Sequence, residues 1–408
     1  RKAAGELSER IRKRLAGLAA SGLTIPAGNN DDMFGATITT YNAFANRIYS
    51  DYAHLIGRDP DAQVMSEASA WQLARSVVET AARDDMLALD EGLEKIADGL
   101  LDLARSLSDN MRHVGDLTEF STNFLAAIDG FDVGTLSATN QKHIRSAINI
   151  ALSYPHMDRL IAAYENAKHQ RGLMEFSDQV ARAYEIVTRF PEVGAVLQSQ
   201  YKVVLLDEYQ DTSSVQIELL STLFRGVAVT AVGDPNQAIY GWRGASASSM
   251  DTRPFFDKYA PNSEHRIFTL PHSWRNPQVV LDAANAIAAP LPKESDVSSP
   301  ELKLGSEAST GSLTVVYPET VDEEATAVAE WFDTHISSWK PRPGVGKDED
   351  IEKPTAALLV RRVADLEPFK RALDKRDVPY RVVGLGGLLV DPVIVDLVCA
   401  LRVMHFAS

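Results

Sequence analysis

The sequence predicts an α/β fold with parallel sheets and an all-helical insertion, and three observations predict it. Residues 203–206 read VVLL, an apolar run without polar alternation that suits a central parallel strand covered on both faces, and it ends abruptly in Asp207 and Glu208. Strand and helix patterns then alternate through SSVQIELLSTLF and VAVTAVG, the signature of a doubly wound parallel sheet. Between residues 62 and 170, by contrast, SEASAWQLARSVVETAARD, EGLEKIADGLLDLARSL and HIRSAINIALSYPHMDRLIAAYENAKHQ carry helical periodicity with few strand candidates.

In chain order, RKAAGELSERIRKRL opens as a basic amphipathic helix with no capping signal ahead of it, so a trimmed fragment is expected. ATITTY at 36–41 has β-branched strand character and leads into the helix of NAFANRIYSDYAHLIG. After residue 265 a second alternating block runs through RIFTL, PQVVLDAANAIAAP, SLTVVYP, EEATAVAEWFDTHISSW, TAALLVRR, ADLEPFKRALDKR and PYRVVG, which predicts a second α/β unit. Residues 291–310 and 341–354 are rich in Pro, Gly, Ser or charge and read as surface loops.

A length of 408 residues allows two or three domains, and 45% apolar with 24% charged residues is ordinary for a globular protein with a large core. No apolar stretch approaches a membrane span and no signal-peptide pattern is present, so a cytoplasmic chain without a membrane partner is expected. The lone Cys399 rules out an intramolecular disulfide and reads as core packing. A net charge of −15 argues against indiscriminate nucleic-acid binding, which depends on Lys and Arg neutralising phosphates, but leaves room for a local basic track. The basic N-terminal helix reads as a solvated charged face rather than a phosphate-binding surface.

Ligands of open α/β sheets bind outside the carboxyl ends of strands, which puts Asp207 at a nucleotide crevice. In nucleotide-hydrolysing enzymes a strand-end Asp helps hold Mg²⁺, and Glu208 next to it can orient or deprotonate the attacking water. A buried strand running into an acidic surface turn would give the same dipeptide; the full string DEYQDT at 207–212 is far more specific. The second signal is VTAVGDPNQAIYGWRGAS at 229–246, where a Gly-Asp-Pro turn frees the backbone to approach a ligand. Gln237 can reach a phosphate or the metal's waters, and Tyr240, Trp242 and Arg243 follow. Aromatic residues beside an arginine suit single-stranded nucleic acid, each stacked base contributing roughly 1–3 kcal/mol. The same rings could instead anchor the loop in the core. The third signal is FTLPHSWRNPQ at 268–278, where Trp274 and Arg275 precede a helix. An arginine delivered from a neighbouring domain can stabilise a transferring phosphoryl group, although a plain surface arginine reads the same way. His265 and His272 lack a Cys or His cluster at ligand spacing, so neither is a metal ligand candidate.

In this order the motifs resemble a superfamily 1 DNA helicase of the UvrD, Rep and PcrA type over nearly the whole chain. DEYQDT resembles the family's Walker B motif and GDPNQAIYGWRGA its third motif, and the two together are highly specific. RKAAGEL resembles the tail of a segment just past the phosphate loop, while TTYNAF, EFSDQV and PYRVVGLGGLLVDPVIVDLVCALRVM resemble later family segments. The resemblance implies RecA-like P-loop NTPase motor domains. Residues 1–61 and 171–265 would form the first, 62–170 a helical insertion, and 266–408 the front part of the second, with ATP between the two motor domains. It further implies that Asp207 binds Mg²⁺, Glu208 activates water, Gln237 couples the γ-phosphate to the DNA site, and Arg275 contacts the γ-phosphate. Trp274 stands where a tyrosine usually stacks on adenine. Tyr41, Tyr240 and Trp242 match aromatic positions that flank or stack on DNA bases, with Arg243 beside them, and Asn42 replaces a family histidine.

The activity so implied is ATP-dependent 3′ to 5′ movement on single-stranded DNA in repair or recombination, with single-stranded and duplex DNA as partners. SWRNP, GLGGLL and Pro392 resemble actinobacterial motor proteins of the AdnB type, which implies a partner helicase–nuclease subunit. Residues 1–408 alone are expected not to hydrolyse ATP, because the phosphate loop and the family's last two motifs are missing from them. A non-hydrolysing DNA-binding or scaffolding protein is the alternative, opposed by the intact DEYQDT, Gln237 and Arg275. A metabolic kinase would leave the aromatic loop unexplained.

Overall fold

The computed structural model describes residues 2–22, 36–130, 134, 136–241, 244–261, 265–292, 295–297, 299–305, 311–337 and 355–382. Trp242, Arg243, Pro392, Cys399, the loop at 341–354 and the family-like segment beyond Val382 lie outside them. Among the described residues helices dominate, and strands occur only as short parallel pairs. The fold is α/β in this coarse sense.

The chain divides into two compact units, one of residues 1–275 and 281–308, the other of residues 276–280 and 309–408. The first begins with helix α1 (Lys2–Ala20) and α2 (Tyr41–Tyr52). Strand character in ATITTY does not become a strand: residues 36–40 carry no ladder and Tyr41 opens α2. The reason is local, since the Thr40 hydroxyl caps the helix by accepting from the Ala43 amide at 3.2 Å.

Strand β1 (Gln63–Val64) then leads into α3 (Glu67–Glu79), α4 (Arg83–Leu89), α5 (Leu93–Asp109), α6 (Asp116–Asp129) and α7 (Ala138–Gln170). These helices build a core of their own around Leu73, Val77, Leu100, Leu160, Ile161 and Tyr164. The 33-residue α7 contains Pro155, which has no N–H to give to the carbonyl of Ala151. The buried Ser121 hydroxyl on α6 donates to that carbonyl instead, at 2.6 Å.

Strand β2 (Leu173–Met174) brings the chain back beside β1 in parallel, Gln63 opposite Leu173 and Val64 opposite Met174. It is followed by α8 (Phe176–Arg189), α9 (Pro191–Gln200), β3 (Val203–Leu206), α10 (Ser214–Phe224), β4 (Ala228–Ala231) and α11 (Thr252–Tyr259). With α2 they form a second core in which Phe44, Tyr49, Ile186, Leu219, Leu223, Phe224 and Tyr259 are buried. β3 and β4 pair in parallel from Val203 opposite Ala228 to Leu206 opposite Ala231.

Coverage of β3 on both faces is not observed. Leu206 is buried, but Val203 is 66% and Leu205 72% exposed, so α8, α9 and α10 cover one face only. An unbroken apolar run sets no limit on which face receives a helix.

The joint between the two cores is ionic. Lys168 at the end of α7 is 2% exposed and lies 2.7 Å from Asp178 and 2.6 Å from Glu165. Glu175 takes hydrogen bonds from Arg105 at 2.8 Å and from the Tyr164 hydroxyl at 3.1 Å. Burial alone would push the Asp178 carboxyl up, but the Lys168 ammonium overrides it and holds the group below the usual carboxylate range. Glu175 and Asp178 also close a capping box at the start of α8.

Beyond α11, β5 (His272–Ser273) and β6 (Lys303–Leu304) pair in parallel, with α12 (Gln278–Ala288) between them in sequence. In the second unit α13 (Val321–Phe332), started by a Thr320–Glu323 capping box, packs on α14 (Glu367–Asp374) through Ala329, Leu373 and Val378. RIFTL, SLTVVYP, TAALLVRR and the described part of PYRVVG are expected strands but form no ladder. Leu270, Val315 and Leu359 on them are largely exposed. Alternating apolar residues describe a strand that can be buried, and a ladder needs a neighbour besides.

Candidate functional site

Asp207 and Glu208 stand where β3 ends. The backbone reverses there because Glu208 adopts the left-handed region, at φ 52° and ψ 42°. A non-glycine residue held so carries a strain of roughly 1–3 kcal/mol and persists only where its surroundings fix it. Next to it, the Tyr209 amide donates to the carbonyl of Val232 at 3.0 Å, and the buried Tyr209 ring packs edge-on to Phe255 at 5.4 Å. Burial pushes the Tyr209 hydroxyl up to about 12, so it stays protonated. The kink is therefore held by the segment after β4 and by α11 rather than by the acidic pair.

Gln210, only 1% exposed, gathers the site. Its amide nitrogen donates to a Glu208 carboxylate oxygen at 2.7 Å, and its amide oxygen accepts from the backbone N–H of Asp234 at 3.1 Å. Asp234 in turn caps the turn after β4: its carboxylate accepts from the Asn236 amide at 3.0 Å and from the Gln237 side chain at 2.8 Å. The Ser299 hydroxyl donates to the same carboxylate. Close approach of these segments requires Gly233, because a Cβ there would lie 2.4 Å from the Gln210 amide oxygen and 2.9 Å from the Met250 sulfur. The turn at Gly233 thus makes room for Gln210.

The loop is fastened at its return as well. Ser213 and Ala245 form an antiparallel bridge, and the Ser214 hydroxyl donates to the Gly244 carbonyl at 3.4 Å. Tyr240 lies between these anchors and is half-buried. Tyr41 reaches the acidic segment from α2, its hydroxyl donating to the Asp207 carbonyl at 2.7 Å, and burial pushes that hydroxyl up. Asn42 beside it accepts from the Gln216 side chain at 2.8 Å, which ties α2 to the first turn of α10.

Asp207, Glu208, Gln237 and Tyr41 are therefore joined by hydrogen bonds, and Tyr240 lies on the loop they hold. Trp274 and Arg275 belong to the turn after β5, and among the described residues no hydrogen bond or ion pair joins Arg275 to Asp207, Glu208 or Gln237. Trp274 rests on the backbone of Gly305, where a Cβ would come within 2.6 Å of the indole, and the ring remains 65% exposed. Such an open ring face is able to stack.

Asp207 is exposed, and its carboxylate makes no hydrogen bond or ion pair among the described residues. No group of three or more His, Cys, Asp or Glu able to hold a metal occurs among them either. That donor set fits Mg²⁺, which is usually held by one or two carboxylates together with waters and nucleotide phosphates, and not a metal caged by protein. Burial, followed by the charge of Glu208, pushes the Asp211 carboxyl up, and its buried Oδ1 has no hydrogen-bond partner among the described residues.

Gln210, Asp234 and Ser299 were not legible as site residues. Gln210 carries a weak signal, an amide inside an otherwise apolar and acidic segment, but its partner is 24 residues away.

A family model described as the UvrD/REP helicase N-terminal domain matches residues 1–253. The chain is 26% identical over 250 residues to the ATP-dependent DNA helicase UvrD1 of Mycobacterium tuberculosis, a match covering 59% of this chain and 30% of that protein. It is 27% identical over 230 residues to DNA helicase II of Escherichia coli, covering 55% of this chain and 29% of the relative. It is also 28% identical over 224 residues to the ATP-dependent DNA helicase PcrA of Leuconostoc citreum, covering 54% of this chain and 27% of that protein. The chain thus spans about a third of the length of the curated helicases it matches. No helix among the described residues is long and apolar enough to cross a membrane.

Proposed function

The chain belongs to the UvrD/REP helicase family, and from that premise we propose that it is the motor part of an ATP-dependent DNA helicase or translocase. One observation carries the reading beyond family membership: the acidic end of β3 and the polar loop after β4 are built as one hydrogen-bonded unit through Gln210 and Asp234. A decayed scaffold has no need of a buried amide trained on Glu208.

In this reading residues 1–61 and 171–265 belong to the first RecA-like motor domain, 62–170 to a helical insertion, and 266–408 to the second motor domain. Trp274 stacks on the adenine of ATP, and Arg275 neutralises charge on the γ-phosphate. Asp207 would hold Mg²⁺, which when bound neutralises phosphate charge. Glu208 accepts the proton of the attacking water, a role that requires its carboxylate to be ionised and oriented. Gln237 senses the γ-phosphate, and because it shares a loop with Tyr240, Trp242 and Arg243, a shift on hydrolysis passes to aromatic residues that, with Tyr41, face single-stranded DNA. Family likeness, not the geometry, supports 3′ to 5′ stepping in repair or recombination. On the same ground we propose a cytoplasmic location and a partner protein of the helicase–nuclease kind.

Glu208→Gln in the full-length protein tests the assignment. Removing a proton acceptor of this kind is expected to lower kcat about 10²- to 10⁴-fold, while ATP binding followed by a fluorescent analogue is retained. Normal turnover in that variant would refute the role of Glu208.

A further inference from the structure

We propose that Gln210 is a positioning residue that sets the orientation of the Glu208 carboxylate and ties it to the state of the loop at 229–246. The inference rests on the assignment of Glu208 as the group that activates water, and adds how that group is controlled.

Three features single out Gln210. It is 1% exposed, so its amide cannot exchange partners with bulk water, and a buried amide left without partners is costly. Both of its hydrogen bonds lead to the two segments in question. The nitrogen donates to Glu208 at 2.7 Å and the oxygen accepts from the Asp234 backbone at 3.1 Å. The packing also leaves it no freedom, since Gly233 faces the amide oxygen at a distance that excludes even a methyl group.

The chemistry follows from the donor. An amide N–H bonded to one carboxylate oxygen holds the group in a single orientation. It also fixes which oxygen is occupied, leaving the other for the water. The acceptor side supplies the coupling. Asp234 holds Gln237, so a pull on Gln237 moves the Asp234 N–H, then the Gln210 amide, then the Glu208 carboxylate. Glu208 occupies a left-handed backbone conformation next to this amide, so its side chain depends on Gln210 more than a strand residue would.

Two near-isosteric variants of the full-length protein separate the donor from the acceptor. Gln210→Glu retains an oxygen for the Asp234 N–H but sets a like charge against Glu208. With the donor gone, kcat should fall about ten-fold while the KM for ATP stays within about two-fold of wild type and exchange at the Asp234 amide stays slow. Gln210→Met removes both bonds at similar volume, and should lower kcat about ten-fold, reduce stimulation of ATPase by single-stranded DNA, and speed hydrogen exchange at the Asp234 amide. An unchanged kcat in a folded Gln210→Glu protein, or unchanged exchange at Asp234 in Gln210→Met, overturns the proposal. Wild-type protein without DNA-stimulated ATPase would instead count against the helicase reading, and the exchange at Asp234 would still decide whether Gln210 joins the two segments.

Discussion

Glycine at position 233 illustrates how a single missing side chain shapes the site. The Gln210 amide is pinned by two hydrogen bonds, so a methyl group at Gly233 has nothing soft to push except the tip of Met250. Gly233→Ala is expected to lower stability by about 1–3 kcal/mol through overpacking, measured by urea denaturation. It should also reproduce the kinetic defect of Gln210→Met, because the displaced amide releases Glu208. A variant with wild-type stability and kinetics would show that the two segments separate more easily than their packing implies. At this scale the acidic pair was legible through the full DEYQDT string, since an apolar run that stops at Asp-Glu also describes a surface turn. Gln210 was not, because an amide's partners are set by register between β3 and β4, and no local pattern encodes that register.

Helices were legible from apolar periodicity, α5 among them although its N-cap Gly92 makes no side-chain hydrogen bond. Thr40, Ser66 and Ser137 each accept from an amide three residues on, and α2, α3 and α7 begin where those residues stand. Strands were legible only where two segments find each other, as β3 and β4 do. The Pro155 position in α7 shows a tertiary repair of a local defect. Ser121→Ala would leave the Ala151 carbonyl buried and unpaired, at a cost of about 1–3 kcal/mol. Pro155→Ala restores an N–H at the right place in the helix. In the double variant the loss should therefore be smaller than in Ser121→Ala alone, and chemical denaturation of the four proteins gives the coupling directly. Additive effects would mean that the hydroxyl and the proline are unrelated.

For the molecule as a whole, the decisive residue is Lys168, whose ammonium lies among Glu165, Glu175 and Asp178 at the seam between two cores. Replacing it with methionine leaves the buried Asp178 carboxylate without its nearest counter-charge, which typically costs about 3–5 kcal/mol. Because this ion cluster lies where α7 meets α8, Lys168→Met should weaken the coupling of the two cores and split their unfolding. Hydrogen exchange would then show helices α3–α7 opening at lower denaturant than α8 and α10, whereas a single shared transition would place the coupling elsewhere.

The β1–β2 pair has a consequence for how such a chain could have been assembled. Where the polypeptide departs at Val64 and where it returns at Met174, it runs side by side in one direction, about 4.8 Å apart as neighbouring strands are. On the proposed reading of residues 62–170 as an insertion, the joint would work as a socket: what is plugged in between those residues could be lengthened, exchanged or recombined as a cassette while the host core keeps its register. Lineages could then vary the plug while the host core stays the same.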